Sequence, residues 1–138
     1  MKMKISTKGR YGLMLMVDLA ASEGHNPVSV KSIAERQSLS EHYLEQLIAP
    51  LRNAGLVRSI RGAYGGYVLA KGKDEITVKD VILTLEGPLD LVDDDIDDGF
   101  AELWGKLRQA ILSVLEGFTL EDLVNMKDKH DGTFMYYI

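Results

Sequence analysis

The stretch from Ser29 to Leu69 constrains this chain more than any other part of its 138 residues. Ser29 is a good helix cap, and Val30, Ile33 and Ala34 behind it form one apolar face of a short helix. A tight Ser38-Leu39-Ser40 connection follows, and Ser40 caps the next helix. That helix carries Leu44, Leu47, Ile48 and Leu51 at i, i+3, i+4 and i+7, a clean core stripe. Pro50 lies inside it and is expected to kink or weaken its last turn, since it removes a donor and crowds the preceding turn. Gly55 is the natural terminator. Leu56–Ile60 is then a short β-branched run, Arg61 to Gly66 a glycine-rich loop, and Tyr67–Leu69 a returning strand. Ahead of all this, Ser6-Thr7 opens a helix expected to run to about Glu23, stopped by Gly24 and Pro27. Helix, helix, turn, helix and hairpin in that order make a winged helix-turn-helix.

The remainder reads as helical, so the expected class is mainly α with a small β-hairpin. Thr77 and Asp80 open a helix bearing Val78, Val81, Ile82 and Leu85, ended by Gly87-Pro88. An acidic loop, Asp90 to Gly99, leads to a longer helix from about Phe100 to Glu116. There Phe100, Leu103, Leu107, Ala110 and Val114, with neighbouring Ile111, recur at close to 3.5 residues. Such spacing suits a helix–helix seam, within the chain or between two copies. A last short helix is expected from Thr119 and Asp122.

Charge divides the chain in two. Residues 1–73 hold 11 Lys/Arg and 5 Asp/Glu, a net of +6, whereas residues 74–138 hold 5 and 16, a net of −11. The overall −5 therefore hides a basic head suited to a polyanion and a body repelled by one. The chain has no cysteine, which removes disulfides, thiol switches and thiolate metal centres. Residues 1–22 imitate a secretory leader, but Lys8, Arg10 and Asp18 interrupt the apolar segment, and a first helix of a cytoplasmic protein is the better reading. His25, His42 and His130 are isolated, and Gly65-Gly66 lies on a hairpin rather than before a helix. No nucleophile–base pair or phosphate loop is legible, so neither an enzyme nor a cofactor is expected.

In a helix-turn-helix the N-terminal end of the second motif helix enters the major groove. Here that end presents Ser40, His42 and Tyr43, with Glu45 and Gln46 one turn on. Gln reads adenine bidentately, and Glu accepts from the cytosine amino group. Each side chain also has an ordinary role open to it: Tyr43 as a ring at the core edge, His42 as a plain surface residue. In the hairpin, Arg58 and Arg61 flank the glycine loop, with Tyr64 at its tip. An arginine there lies in a minor groove or clamps a phosphate. Lys2, Lys4, Lys8 and Arg10 gather at the start of the first helix, where the dipole disfavours cations and a phosphate strand would offset that.

The blocks STKGRYGL, SIAERQSLSEHYLEQLIAPLRNAGLVRSIRGAYGGYVLA and ITVKDVI with LEGP resemble the winged-helix family of the iron–sulfur cluster regulators. The resemblance covers essentially the whole chain. It implies recognition-helix contacts at Ser40, His42, Tyr43, Glu45 and Gln46, wing contacts at Ser59, Arg61 and Gly62, and a phosphate contact at Lys8. It also implies a homodimer through the long helix, by Phe100, Leu103, Leu107, Ile111 and Val114, and double-stranded DNA as ligand. Residues 1–73 are then the DNA-binding region, and residues 74–138 the dimerisation and regulatory region.

Cluster-binding members carry three cysteines where this chain has PLDLVDDDIDDGFAELW, residues 88–104. Without thiolates no cluster is expected. A calcium loop starting at Asp93 fails too, with Asp98 in the glycine position and Trp104 in place of the bidentate Glu. Among cluster-free members, the motifs and the ending MYYI are most similar to the cysteine-metabolism repressors of Gram-positive bacteria. Those act with cysteine synthase, whose active site accepts a C-terminal isoleucine carboxylate. The apolar tail Thr133 to Ile138 then has two uses open to it. Phe134 to Tyr136 are expected to pack within the dimer, and Tyr137 and Ile138 to enter the enzyme.

Overall fold

The computed structural model describes residues 4–92 and 97–136, with side chains as far as Gly132. Its elements run α1 (Thr7–Ala21), α2 (Val30–Gln37), α3 (Glu41–Asn53), β1 (Val57–Ile60), β2 (Gly66–Leu69), α4 (Val78–Glu86), α5 (Ala101–Glu116) and α6 (Leu120–Tyr136). The expected winged helix-turn-helix is present.

Local chemistry sets the helix starts. Ser6, Ser29 and Ser40 each accept a backbone N–H three residues on, from Gly9, Ser32 and Tyr43. Thr77 and Asp80 form a reciprocal capping box, and Thr119 and Asp122 repeat the exchange at α6. The two boxes lie side by side, because Val78 N–H donates to Phe118 O and Leu120 N–H to Ile76 O, both at 2.9 Å. The turn between α2 and α3 rests on Ser38, whose φ of 56° is left-handed and whose N–H returns to Ala34 O.

The core gathers around α3. Leu44, Leu47, Ile48 and Leu51 are all fully buried, with Leu15, Met16 and Leu19 of α1 and Ile33 of α2. Burying each such side chain contributes roughly 1.5–3 kcal/mol. Ile76, Val81, Leu85, Leu120 and Val124 belong to the same cluster, so one core crosses residue 73. The start of the chain that imitates a leader is thus a structural helix. It packs closely on α4: a methyl at Gly12 would overlap Leu85 Cδ1, and Ser6 N–H donates to Glu86 Oε1 at 2.6 Å.

The hairpin pairs antiparallel with Arg58 opposite Val68 and Ser59 opposite Tyr67. A third segment joins it. Val28 and Tyr67 exchange both backbone hydrogen bonds, at 3.0 and 2.8 Å. A Cβ at Gly66 would stand 2.5 Å from Val28 O, so a bare backbone is required there.

Helix α3 runs through Pro50 to Asn53 and stops ahead of Gly55, with Ala54 N–H reaching Pro50 O at 3.0 Å. One expectation needs correction. The last helix is not short but 17 residues long, supported by the i,i+4 pair Lys127–Asp131 at 3.6 Å. Asp93 and Asp95 of the calcium-loop pattern, and Tyr137 and Ile138, lie outside the described residues.

Candidate nucleic-acid interface

Once the apolar stripe of α3 is buried, the opposite face has nowhere to go but outward. Glu41, His42, Glu45 and Gln46 are all exposed on its first turn and a half. Ser40 Oγ accepts Tyr43 N–H at 3.1 Å, which still leaves its hydroxyl proton free to donate outward. Gln46 Nε2 lies 3.2 Å from His42 Nε2, one turn back. Tyr43 behaves differently from its neighbours. Its ring is half-buried against the core and meets Tyr11 of α1 edge to face, centroids 6.2 Å apart at 90°.

That ring contact joins the N-terminal part of α1 to the first turn of α3, and Lys8 and Arg10, which precede Tyr11 in the chain, are exposed. Among the described residues neither has a carboxylate within salt-bridge distance, and the same holds for Arg58 and Arg61. Cations left uncompensated on one side of a fold favour a polyanion there.

The wing contributes a second surface. Arg61 and Ser59 are exposed, and Gly65 N–H donates to Gly62 O at 3.0 Å to close the tip. Tyr64 is 85% exposed. With Gly65 it borders an open cleft of about 400 Å³ against Ser29, Ser32 and Arg36, so the wing tip leans over the head of α2. Arg58 is set apart from the tip. It lines a smaller pocket of about 230 Å³ with Glu23, Gly24 and His25, beneath the connection between α1 and α2.

One functional group has no counterpart in the sequence reading. Arg36 donates to Asp18 through Nη2 at 2.8 Å and Nε at 3.2 Å, and to Ser32 Oγ, while Gln37 Nε2 adds a bond to Asp18 at 3.3 Å. A partly exposed pair of this kind contributes on the order of 1 kcal/mol or less. Its effect is positional, fixing α2 on α1 and hence the turn that aims α3. No local pattern announces it, because 18 residues separate the partners.

The α5 residues are laid out along a surface rather than inside the fold. Phe100 is 58% exposed, Leu103 55% and Val114 62%, with Leu107 and Ile111 half-buried and only Leu112 buried. Asp98 holds the start of this helix. It accepts Phe100 N–H at 2.9 Å and the Trp104 indole N–H at 3.0 Å. Those two donors, the backbone one first, hold its carboxyl below the usual carboxylate range. Among the described residues no helix is long and apolar enough to cross a membrane.

The model of the Rrf2 family, described as iron-dependent transcriptional regulators, matches residues 5–126. The transcriptional regulator CymR of Bacillus subtilis is 55% identical over 138 residues, covering 99% of this chain and 100% of that protein. IscR of Photorhabdus laumondii is 37% identical over 137 residues, 94% of this chain and 84% of its own length. The solved structure of CymR, titled the global cysteine regulator of B. subtilis, superposes with a TM-score of 0.80 at 56% identity, over 90% of this chain and 98% of that one.

The family description raises iron. This chain has no cysteine, and Asp98 already spends its oxygens on α5. Among the described residues no cluster of three or more His, Asp or Glu could hold a metal ion. The residues present do not fit an iron–sulfur cluster. A buried helix-turn-helix frame, an outward α3 face, a basic N-terminal half and full-length likeness to named regulators converge. The chain is a DNA-binding transcriptional regulator, not an enzyme, and belongs to the Rrf2 family.

Proposed function

We propose that this regulator reads operators of cysteine and sulfur-metabolism genes in the cytoplasm as a homodimer, acting as a repressor, and takes its signal from cysteine synthase. The observation that carries the DNA reading is the outward polar face of α3 in a helix-turn-helix whose Lys8, Arg10, Arg58 and Arg61 are exposed, with no carboxylate within salt-bridge distance among the described residues. In this reading His42, Glu45 and Gln46 face base edges, with Tyr43 offering only the rim of its ring. Ser40, Lys8 and Ser59 hold phosphates. Arg61, Gly62 and Tyr64 bring the wing to an adjacent groove, and Arg58 supports it from behind. The sulfur assignment draws on the likeness to CymR.

Dimerisation through Phe100, Leu103, Leu107, Ile111 and Val114 is supported by the exposure of Phe100, Leu103 and Val114, which water disfavours along one stripe. Two heads related by a two-fold axis then meet two half-sites. The partner reading assigns Tyr137 and Ile138 to the cysteine synthase active site.

The test is binding to duplex DNA from upstream of sulfur-assimilation genes, with and without cysteine synthase and O-acetylserine. Salt-sensitive binding to those duplexes over scrambled DNA is expected, shifted by the enzyme in an O-acetylserine-dependent way. Equal affinity for scrambled duplex would overturn the reading. Deleting Tyr137 and Ile138 is expected to abolish the enzyme's effect and leave the dimer; an unchanged affinity for cysteine synthase would remove that assignment.

A further inference from the structure

We infer that Glu86 is a positioning residue for the DNA contact of Lys8, because it completes from α4 the N-terminal cap that α1 cannot complete itself. This rests on the proposal that Lys8 holds a phosphate and deepens it. In a capping box the cap hydroxyl accepts the N–H three residues on, and a carboxylate at that third position returns to the N–H of the cap residue. At α4 and α6 both halves are local, Thr77 with Asp80 and Thr119 with Asp122. At α1 only the first half is: Ser6 Oγ accepts Gly9 N–H at 3.0 Å. Gly9 occupies the third position without a side chain, and the first turn holds no acidic residue. The second half arrives from 80 residues away, where Glu86 Oε1 accepts Ser6 N–H at 2.6 Å. Its direction is fixed, since a backbone N–H only donates and a carboxylate only accepts. Gly9 makes the room for it. This residue is buried, and a Cβ there would stand 2.7 Å from Glu86 Oε1. Gly12, three residues on, admits buried Leu85 in the same way, so α4 cannot withdraw Glu86 from the box without uncovering Leu85.

Lys8 stands inside that capped turn, between Ser6 and Gly9, and is exposed. The positive end of the helix dipole disfavours Lys8 and Arg10 where they are, and a carboxylate at the cap offsets this. The first turn thereby stays helical with its cations on it. Without Glu86 the Ser6 N–H loses its partner, the turn frays, and Lys8 has to be ordered again at each encounter with a phosphate. Glu86 bears the wrong charge to touch the phosphate, so its part is positional. It also lies past residue 73, in the acidic half. The half of the chain that DNA repels thus sets the geometry of a contact that the basic half makes.

The test is a mutant cycle, read by binding to the upstream duplexes at several salt concentrations and by amide exchange at Ser6 and Gly9. Removing Glu86 also lowers the repulsion of DNA, so the readout is what Lys8→Ala does in each background rather than affinity itself. In the wild type Lys8→Ala is expected to lower the magnitude of the salt slope by about 1 per copy. In Glu86→Ala it is expected to lower it by less than half as much, with the two amides exchanging roughly five-fold faster. Glu86→Gln keeps an acceptor oxygen and is expected to keep most of the Lys8 effect. Gly9→Glu rebuilds the box within α1. In the Glu86→Ala background its Cβ meets only Ile5 Cγ2, at 3.2 Å, and the substitution is expected to restore both readouts. In the wild type the same substitution collides with Glu86 and is expected to lower the unfolding midpoint. Gly9→Ala with Glu86→Ala adds helix propensity without a carboxylate and is expected to leave the Lys8 effect small. Glu86 is exposed, so Glu86→Ala keeps the core, and its comparison with the wild type decides the matter even if the Gly9 variants fail to fold. An equal Lys8→Ala effect in the wild type and in Glu86→Ala overturns the inference, as does equal restoration by Gly9→Ala and Gly9→Glu. Both results leave Lys8 on the DNA. A Lys8→Ala protein that binds as the wild type does takes Lys8 off the DNA and this inference with it. A wild type that binds none of the duplexes overturns the regulator reading itself.

Discussion

Helices α3 and α5 both carry apolar stripes, yet the chain treats them in opposite ways. The stripe of α3 is fully buried by α1, α2 and the hairpin, and its polar face is thereby turned outward with His42, Glu45 and Gln46 on it. The stripe of α5 keeps Phe100, Leu103 and Val114 more than half exposed, although the helix docks on α4. Amphipathic spacing therefore states that a helix needs a partner, not where the partner comes from. For α3 the partner is the same chain, and the outward polar face, the proposed reading surface, is a by-product of that burial. For α5 the proposed partner is a second copy.

The largest break in this contrast comes from hollowing the α3 side. Leu47→Ala is expected to lower stability by roughly 2–5 kcal/mol, read by urea or thermal unfolding, because a fully buried side chain leaves a cavity. A loss under 1 kcal/mol would show that the α3 stripe is not the centre of the core. Next comes the α1–α4 contact that carries the basic start of the chain. Gly12→Val has to displace Leu85 and is expected to cost about 1–3 kcal/mol. Unfolding curves superposable on the wild type would contradict the close approach.

Smaller effects separate binding from stability. Arg61→Ala removes an exposed, unpaired cation and is expected to leave unfolding unchanged. It should weaken DNA binding across sequences and lower the magnitude of the salt slope by about 1. An unaltered slope would take Arg61 off the DNA. The smallest effect is local and acid-dependent, at Asp98. Its carboxyl is held low by the Phe100 N–H first and the Trp104 indole second. A group with a lowered folded pKa stabilises above its unfolded value and loses that contribution as pH falls through the folded one. The start of α5 is therefore expected to loosen below the ordinary aspartate value of 3.8, read by Trp104 fluorescence, with Asp98→Asn insensitive to the same change. An identical acid transition in both proteins would sever the link.

How much of this was legible beforehand follows from how local each signal is. Ser6, Ser29, Ser40 and the Thr77–Asp80 box announce helix starts within four residues, and all of them cap as expected. The core stripe of α3 is legible for the same reason. The clamp of Arg36 on Asp18 and the bridge of Val28 to Tyr67 join residues far apart in the chain, and neither leaves a periodic trace. Pro50 and Gly55 bracket the end of α3 in the sequence, and the helix does run through Pro50 to stop at Asn53. The expected final helix is short, whereas Asn125 and Gly132, both weak helix formers, lie within the 17-residue α6. Val124 and Leu120, buried against α1, extend it regardless. Of the candidate interface, the exposed residues of α3 and the wing were legible from their spacing. That α1 meets the first turn of α3 through the Tyr11–Tyr43 contact is something only the fold supplies.

The contrast between the two helices meets its most direct test in sedimentation velocity on the wild type and Leu103→Glu. Leu103 is 55% exposed in the single chain, so the substitution leaves the fold of one copy undisturbed and places a charge on the open stripe. The wild type is expected to sediment as a dimer with an unfolding midpoint that rises with protein concentration. Leu103→Glu is expected to sediment as a folded monomer with a concentration-independent midpoint and much weakened operator binding. A folded Leu103→Glu protein that remains an undiminished dimer would contradict the assignment of the α5 stripe to a second copy.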